Sequence, residues 1–162
     1  MKCPGCGAEM KTVKGGYKYV ESGLDNVYLQ NVTIHKCSCG ELMPEIPNIH
    51  GVHETIAGEL VRKPTPLSGP EIRFLRKAMR LSAKALAAAL SVTAITIPRW
   101  ETEAEKPKLS MDKLIRLTYN QFRQEHCKQV VSISDKLAAI KEKNGNKPMR
   151  FDVTRDFQTC CA

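Results

Sequence analysis

The chain reads Cys3-Pro4-Gly5-Cys6-Gly7 near its N-terminus and Cys37-Ser38-Cys39-Gly40 further along. Two thiolates separated by two residues can hold one metal ion from a single turn, and glycine lets the backbone fold beneath that ion. Four thiolates form a closed tetrahedral zinc site, which suits a structural role better than a catalytic one. We therefore predict that a structural zinc ion is bound by Cys3, Cys6, Cys37 and Cys39.

The second cysteine pair leaves the ligand set open, because it is one residue shorter than the usual spacing. His35 lies two residues before Cys37 and is an alternative ligand. A set of reduced cysteines without metal is the other alternative. A disulfide framework is disfavoured, since the chain has seven cysteines and an odd number without a secretion signal argues against one.

Residues 1–54 are predicted to form a small antiparallel sheet that carries the metal ligands at its ends. Residues that favour strands cluster at positions 17–20 and 27–34, and Gly23 lies between them, where a turn belongs. A sheet of about 50 residues has a thin core and needs a metal or a similar cross-link.

Helical periodicity runs from residue 68 to about residue 124. Ser68 and Glu71 fit a capping box at the start of a first helix. Ser82 fits the N-cap of a second helix, a third runs through Trp100, a fourth begins near Ser110, and a fifth is predicted over residues 134–143. The apolar positions of the first four helices include Ile72, Leu75, Met79, Leu86, Ala87, Leu90, Met111, Leu114, Ile115 and Leu117.

Residues 81–101 have the pattern of a helix-turn-helix. Leu86 and Ala87 in one helix and Ile97 and Trp100 in the next, with Val92 in the turn, are expected to supply the buried contacts. In this motif the second helix enters the major groove of DNA, and its N-terminal residues face the base edges. The expected DNA-binding residues are Lys84, Thr93, Ala94, Ile95, Thr96 and Arg99.

Arg99 is the residue expected to read a base, because a guanidinium can pair with guanine through two hydrogen bonds. The alternatives are a phosphate contact or a salt bridge to Glu101 or Glu103. Pro98 removes a backbone donor inside the third helix and is expected to bend or shorten it. Further candidates for phosphate contacts are Lys106 and Lys108.

Positive charge is concentrated in the C-terminal part of this chain of 162 residues, of which 42% are hydrophobic. The net charge is +8, with −2 over residues 1–60 and +10 over residues 61–162. A basic segment favours a polyanionic partner such as nucleic acid, and a charge that only aids solubility is the alternative. No apolar run approaches the roughly 20 residues that span a bilayer, and no signal peptide is evident. A cytoplasmic protein without membrane contact is therefore expected.

The expected organisation is α+β, with a zinc-binding domain over residues 1–54 and an all-α helix-turn-helix domain over residues 68–143. Residues 55–67 are read as a linker, because Lys63-Pro64-Thr65-Pro66 cannot continue a helix, although a short helix is expected at 55–61. Residues 144–162 follow a break and are expected to form a poorly ordered tail.

With these residues in view, the chain resembles the MqsA-type (YgiT-type) zinc-finger/helix-turn-helix proteins, whose best-known members are bacterial antitoxins. The resemblance implies a β-containing zinc domain joined to a five-helix domain of the Xre/Cro type, which is usually dimeric through its C-terminal part. It also implies repression of a promoter, often that of the protein's own operon, and toxin binding by the zinc domain in toxin-paired members. It rests on residues 3–6, 21–27, 37–41, 71–76 and 99–101.

Several positions depart from the pattern of this family. The second cysteine pair is short, and Ala83 stands where many such proteins have a glutamine that touches DNA. Ile95 falls where the best-known antitoxin has a base-reading asparagine, whereas Arg99 matches its base-reading arginine. Residues 125–162 extend beyond the resemblance.

The function expected from these features is sequence-specific DNA binding by a dimeric transcriptional repressor, which acts as an autoregulating antitoxin where a toxin partner exists. The alternative is a protein-interaction adaptor whose zinc domain binds a toxin or another partner while the helical domain mainly dimerises. An enzyme is not expected, because the metal ligands are saturated and no nucleophile with a neighbouring base is evident.

Overall fold

Strands and helices occupy separate parts of the chain, so the predicted α+β class is confirmed. The computed structural model describes residues 1–127, 137–138, 140 and 147–154. They form two units, the first from residues 1–52 with 147–154 and the second from residues 53–127, 137–138 and 140. The chain passes from the first unit to the second within a helix, between Val52 and His53.

The first unit is built on one central strand. The strands are β1 (Lys11–Lys18), β2 (Val27–Lys36), β3 (Leu42–Glu45) and β4 (Met149–Asp152). β1 pairs antiparallel with β2 along one edge. The other edge of β2 is divided between two partners, because β3 pairs antiparallel with its C-terminal half and β4 pairs parallel with its N-terminal half.

A bulge at Asn31 keeps the apolar side chains of β2 on one face. Gly15 pairs with Val32 and Tyr17 with Leu29, so β2 has one residue more than β1 between these pairs. Asn31 has a φ of 59°, a conformation that asparagine tolerates better than most residues. Because of this extra residue, the apolar side chains of both halves of β2 lie on the same face of the sheet, toward the core. The buried apolar residues of β2 are Val27, Leu29, Val32 and Ile34.

The C-terminal strand corrects the expectation of a poorly ordered tail over residues 144–162. Met149–Asp152 form β4, and the Phe151 side chain is buried. The Met149 backbone N–H donates to the Asn26 carbonyl at 2.7 Å. Residues 144–146 and 155–162 of the expected tail lie outside the described part of the chain.

Helices form the second unit, and its core includes the apolar face predicted for the first periodic helix. The helices are α1 (Ile49–Arg62), α2 (Gly69–Ala78), α3 (Ala83–Ala89), α4 (Thr96–Glu101) and α5 (Leu109–Cys127). Ile72, Leu75 and Met79 are buried, which confirms the predicted face of the first periodic helix. Most of the helix expected over residues 134–143 lies outside the described residues. Among the described residues, no helix combines the length and apolar composition needed to cross a membrane.

Residues 55–67 differ from the linker expected for them, because they belong to the second unit. α1 begins before this segment and continues to Arg62. Beyond the helix, the Leu67 N–H donates to Asp112 Oδ1 at 2.6 Å, and Arg116 binds the carbonyls of Lys63 and Thr65. As the sequence indicated, α1 ends before Pro64. The carbonyls of the proline-containing segment are nevertheless bound by Arg116 of α5.

The helix starts agree with the capping residues read from the sequence. The Ala85 N–H donates to Ser82 Oγ at 3.1 Å, which confirms Ser82 as the N-cap of α3. At the start of α2, the Ser68 N–H donates to Glu71 Oε2 at 2.8 Å. Lys63 Nζ also contacts both carboxylate oxygens of Glu71 at 2.9 Å. A capping carboxylate and a neighbouring cation together fix the entry to α2.

Candidate metal centre and candidate nucleic-acid interface

The four predicted cysteines come together at one end of the sheet. Their sulfur atoms all lie within 4.8 Å of one another. Cys3 Sγ is 3.7 Å from Cys39 Sγ, and Cys6 Sγ is 3.4 Å from Cys37 Sγ. Four sulfurs at about 2.3 Å from a tetrahedral ion would lie about 3.8 Å apart. The cluster therefore has dimensions that suit a single metal ion.

Two tight turns present the sulfur atoms. In the first, the Cys3 N–H donates to the Ala8 carbonyl and the Gly7 N–H to the Cys3 carbonyl, both at 2.8 Å. In the second, which joins β2 to β3, the Gly40 N–H donates to the Cys37 carbonyl at 3.1 Å. Gly7 and Gly40 have φ values of 74° and 94°, which other residues rarely adopt. The short spacing of the second pair is compatible with this hairpin turn.

Hydrogen bonds inside the cluster shift the pKa values of two of its thiols in opposite directions. The backbone N–H of Cys39 lowers the pKa of Cys37 to about 6, and the Cys6 thiol adds to this effect. The backbone N–H of Ala8 lowers the pKa of Cys6, but hydrogen bonds with Cys37 and the other thiols outweigh it and raise that pKa to about 12. The thiolate is the form that binds metal, so the lowered pKa of Cys37 favours its binding of a metal ion.

His35 lies outside this cluster among the described residues. Its Nδ1 is 3.0 Å from Thr12 Oγ1, and its Nε2 is 3.7 Å from Glu45 Oε2. Both ring nitrogens thus face side chains of the neighbouring strands. The alternative in which His35 replaces a thiolate is not supported by this arrangement.

The α3–turn–α4 segment has the buried contacts predicted for residues 81–101. Leu86, Ala87 and Leu90 are buried, and so are Ile97 and Trp100. Val92 differs from the prediction, since its side chain is half-buried. Its backbone N–H donates to the Ala87 carbonyl at 2.9 Å and closes the turn.

Pro98 is easier to accommodate than the sequence indicated, because it lies in the first turn of α4. The helix has six residues and begins at Thr96, which makes Pro98 its third residue. Backbone N–H groups in the first turn of a helix have no intrahelical acceptor, so proline removes no helical hydrogen bond there. Thr93, Ala94 and Ile95 lie in the turn before this helix.

Most of the residues predicted to bind DNA are at the surface. Thr96 is half-buried, and its hydroxyl lies 2.7 Å from that of Thr93. The Ile95 side chain is unusually accessible for an apolar residue, with 61% of its surface exposed. The exposed members of the predicted set are Lys84, Thr93, Ala94, Ile95 and Arg99.

Arg99 is paired differently from the salt bridge considered in the sequence analysis. Its Nη1 lies 3.9 Å from Glu105 Oε2, and both side chains are more than half exposed. Glu101 instead accepts from Arg76 Nε at 2.5 Å and from Arg73 Nε at 3.2 Å. Glu103 accepts from the Gly69 N–H at 3.1 Å. An exposed pair at such a distance is weak, so the Arg99 guanidinium is accessible to a ligand.

The substitution Glu101→Gln is expected to destabilise the second unit at neutral pH and to lose this effect at a pH below the folded-state pKa of Glu101. Burial alone would raise the pKa of Glu101, but hydrogen bonds from Arg76 and Arg73 lower it below its ordinary value. A lowered pKa adds stability above the unfolded-state pKa of about 4.3, and this stability is lost as the pH falls through the folded-state pKa. Urea unfolding followed by Trp100 fluorescence at both pH values measures the difference. An equal loss at both would contradict the charge-based explanation.

The comparisons with known proteins add no relative to this description. The chain matches no protein-family model, no curated protein and no solved structure. The resemblance to the MqsA-type proteins therefore stays a prediction, and the metal cluster and the surface around α4 carry the functional argument.

Proposed function

We propose that the chain is a sequence-specific DNA-binding transcriptional regulator, acting as a dimeric repressor with a structural zinc module. The observation that carries this proposal is the α3–turn–α4 segment. Its buried face holds two short helices together, while its other face presents Arg99 and the turn residues to solvent. Such a pair of helices suits insertion into a major groove.

The charge distribution supports a nucleic-acid partner for the helical unit. Exposed cations precede, flank and follow the α3–turn–α4 segment, so several phosphates could be contacted around the base-reading surface. Of these cations, Arg73 is fixed through Glu101. The exposed basic residues are Arg73, Lys77, Arg80, Lys84, Arg99, Lys106 and Lys108.

The donor set of the cluster supports zinc as its metal. Four cysteine sulfurs select soft or borderline ions, and closed tetrahedral Cys₄ sites are typical of structural zinc. A saturated ion offers no position for a substrate, so we propose a binding function and not an enzymatic one.

Operator binding by the whole chain is tested by fluorescence anisotropy with its own upstream DNA and a scrambled duplex at physiological salt. A preference of about a thousandfold for the upstream DNA is expected for a specific binder. Affinity should also fall steeply as salt rises, because phosphate contacts release counterions. Weak and equal binding to both duplexes would overturn the proposal.

The substitution Arg99→Ala is expected to weaken binding to the upstream DNA by about 1–3 kcal/mol and to relax specificity at one base pair. Binding to the scrambled duplex should change little. Arg150→Ala removes the same charge from an exposed residue of the first unit and is the matched control. Equal weakening on both duplexes would instead make Arg99 a phosphate contact.

A protein-interaction adaptor is the second candidate, and the exposed apolar side chains near α4 favour it. Ile95, Ala94 and Pro98 are all exposed, and they offer few hydrogen bonds to base edges. In this case the zinc unit would bind a toxin or another protein partner, as the family resemblance implies. Absence of operator preference together with specific, stoichiometric binding to a neighbouring toxin-like gene product would favour the adaptor.

A further inference from the structure

The edge of β2 holds β4 by its backbone and by two asparagine side chains. The Met149 N–H donates to the Asn26 carbonyl at 2.7 Å, and the Val153 N–H donates to the Gln30 carbonyl at 3.2 Å. Asn26 Nδ2 donates to the Lys147 carbonyl at 2.9 Å. We call this edge, residues 26–31 of the chain, the strand-binding edge.

The far end of the strand-binding edge is closed by the second asparagine. Asn31 Nδ2 donates to Asp152 Oδ2 at 2.6 Å, from the bulge position whose backbone has a positive φ. Between the two asparagines, Phe151 pairs with Leu29 in the parallel register. Both side chains are buried, so docking of β4 completes part of the apolar core of the first unit.

The metal cluster and β4 depend on the same strand. The strand-binding edge occupies the N-terminal half of β2, whereas β2 ends at Lys36, directly before Cys37. The metal ligands all lie in residues 1–52, while β4 returns to this unit after the entire helical unit. In small metal-binding domains the free energy of metal binding is largely free energy of folding. Any contact that stabilises the folded sheet therefore also favours metal binding.

We infer that metal binding at the four cysteines and docking of β4 on the strand-binding edge are coupled, each favouring the other. The inference rests on the metal site proposed above and is independent of DNA binding. Coupling of this kind is reciprocal, because the two binding events share one folded state. The first unit would thus hold the C-terminal strand when metal is present and release it when metal is lost.

One direction of the coupling is tested by the zinc affinity of the full chain, measured by competition with a chromophoric chelator. We expect Phe151→Ala to weaken zinc binding by about tenfold, within the usual range of coupling between sites. Arg150→Ala, at an exposed position of the same strand, should leave the affinity unchanged. Equal affinities for Phe151→Ala and the unaltered chain would overturn the inference.

A milder variant separates coupling from general loss of folding. Asn31→Gly removes the hydrogen bond to Asp152 but keeps a residue that accepts a positive φ. We expect its zinc affinity to lie between those of the unaltered chain and Phe151→Ala. An Asn31→Gly affinity equal to that of the unaltered chain would count against the coupling.

The reverse direction is tested on the unaltered chain by hydrogen exchange with and without a zinc chelator. We expect the amides of Met149 and Val153 to lose protection when zinc is removed, while Trp100 fluorescence stays constant, because the four cysteines that form the metal cluster all lie in the other unit. Unchanged protection of the two amides would overturn the coupling and leave the metal site intact. A chain that takes up no zinc at all would overturn the metal site and the coupling together.

Discussion

The substitution Cys37→Ser is expected to abolish tight zinc binding and to unfold the sheet of the first unit. Serine offers a neutral hydroxyl where the metal requires a thiolate, and hydrogen bonds that lower the pKa of Cys37 to about 6 favour the thiolate form of this ligand. Structural zinc contributes about 10–16 kcal/mol of apparent binding free energy in small zinc domains. That is of the same size as the whole stability of a typical domain, about 5–15 kcal/mol, so the unit should not survive the loss.

Zinc content by elemental analysis and strand content by far-ultraviolet circular dichroism measure the two parts of this prediction. His35→Gln is the control, because His35 lies two residues before Cys37 in the chain and does not belong to the cluster. It should keep one zinc ion per chain and the strand signal. Normal zinc content in the Cys37→Ser variant, or its loss in the His35→Gln variant, would show that the four-cysteine ligand set is wrong.

The cysteine cluster was predictable because its chemistry is local. Each cysteine pair lies in a turn with a glycine directly after it. Where no secretion signal indicates disulfide formation, metal binding is the usual role of such paired cysteines. The β4 strand was not predictable, since its four residues carry no strong pattern and their partner lies far away in the sequence. The side-chain contacts that select it, from Asn26 and Asn31, span 121 positions. Only the folded sheet brings them together.

Around α4 the sequence predicted the buried residues better than the helix boundaries. Ile97 and Trp100 are buried as expected, because periodicity reports which side of a helix faces the core. The start of the helix depends instead on local turn geometry. The turn before α4 contains the hydroxyl contact between Thr93 and Thr96 and the hydrogen bond from Val92 to Ala87. No sequence pattern indicated where this turn ends.

The apolar face of α5 shows where the periodicity misled. The periodicity predicts Leu117 on that face, yet 45% of this residue is exposed, whereas the neighbouring Arg116 is completely buried. Arginine is almost never fully buried unless its guanidinium is fully paired. Here its partners are Asp112 on the same helix and carbonyls at the end of α1 and in the segment after it. The sequence could not place those carbonyls beside α5.

The substitution Arg116→Ala is expected to destabilise the second unit by about 3–5 kcal/mol. Arg116 Nε donates to Asp112 Oδ2 at 2.8 Å, and Nη1 donates to the Leu60 and Val61 carbonyls at 3.1 Å. Nη1 and Nη2 also reach the Lys63 and Thr65 carbonyls at 2.6 and 2.7 Å. Alanine would leave these carbonyls without their donors and the buried Asp112 carboxylate without its counter-charge, which is costly in a dry environment.

Urea unfolding of the full chain, followed through its single tryptophan, measures this loss because Trp100 is buried in the same unit. Arg116→Lys should fall between Arg116→Ala and the unaltered chain, since an ammonium keeps the charge but cannot reproduce the planar set of donors. Lys113→Ala removes a cation from the same helix at a half-buried position and should change stability by less than about 1 kcal/mol. If Arg116→Ala were no more destabilising than Lys113→Ala, the segment after α1 would be held by its apolar contacts alone. A loss confined to Arg116 variants would instead identify this buried guanidinium as the group that joins the end of α1 to α5.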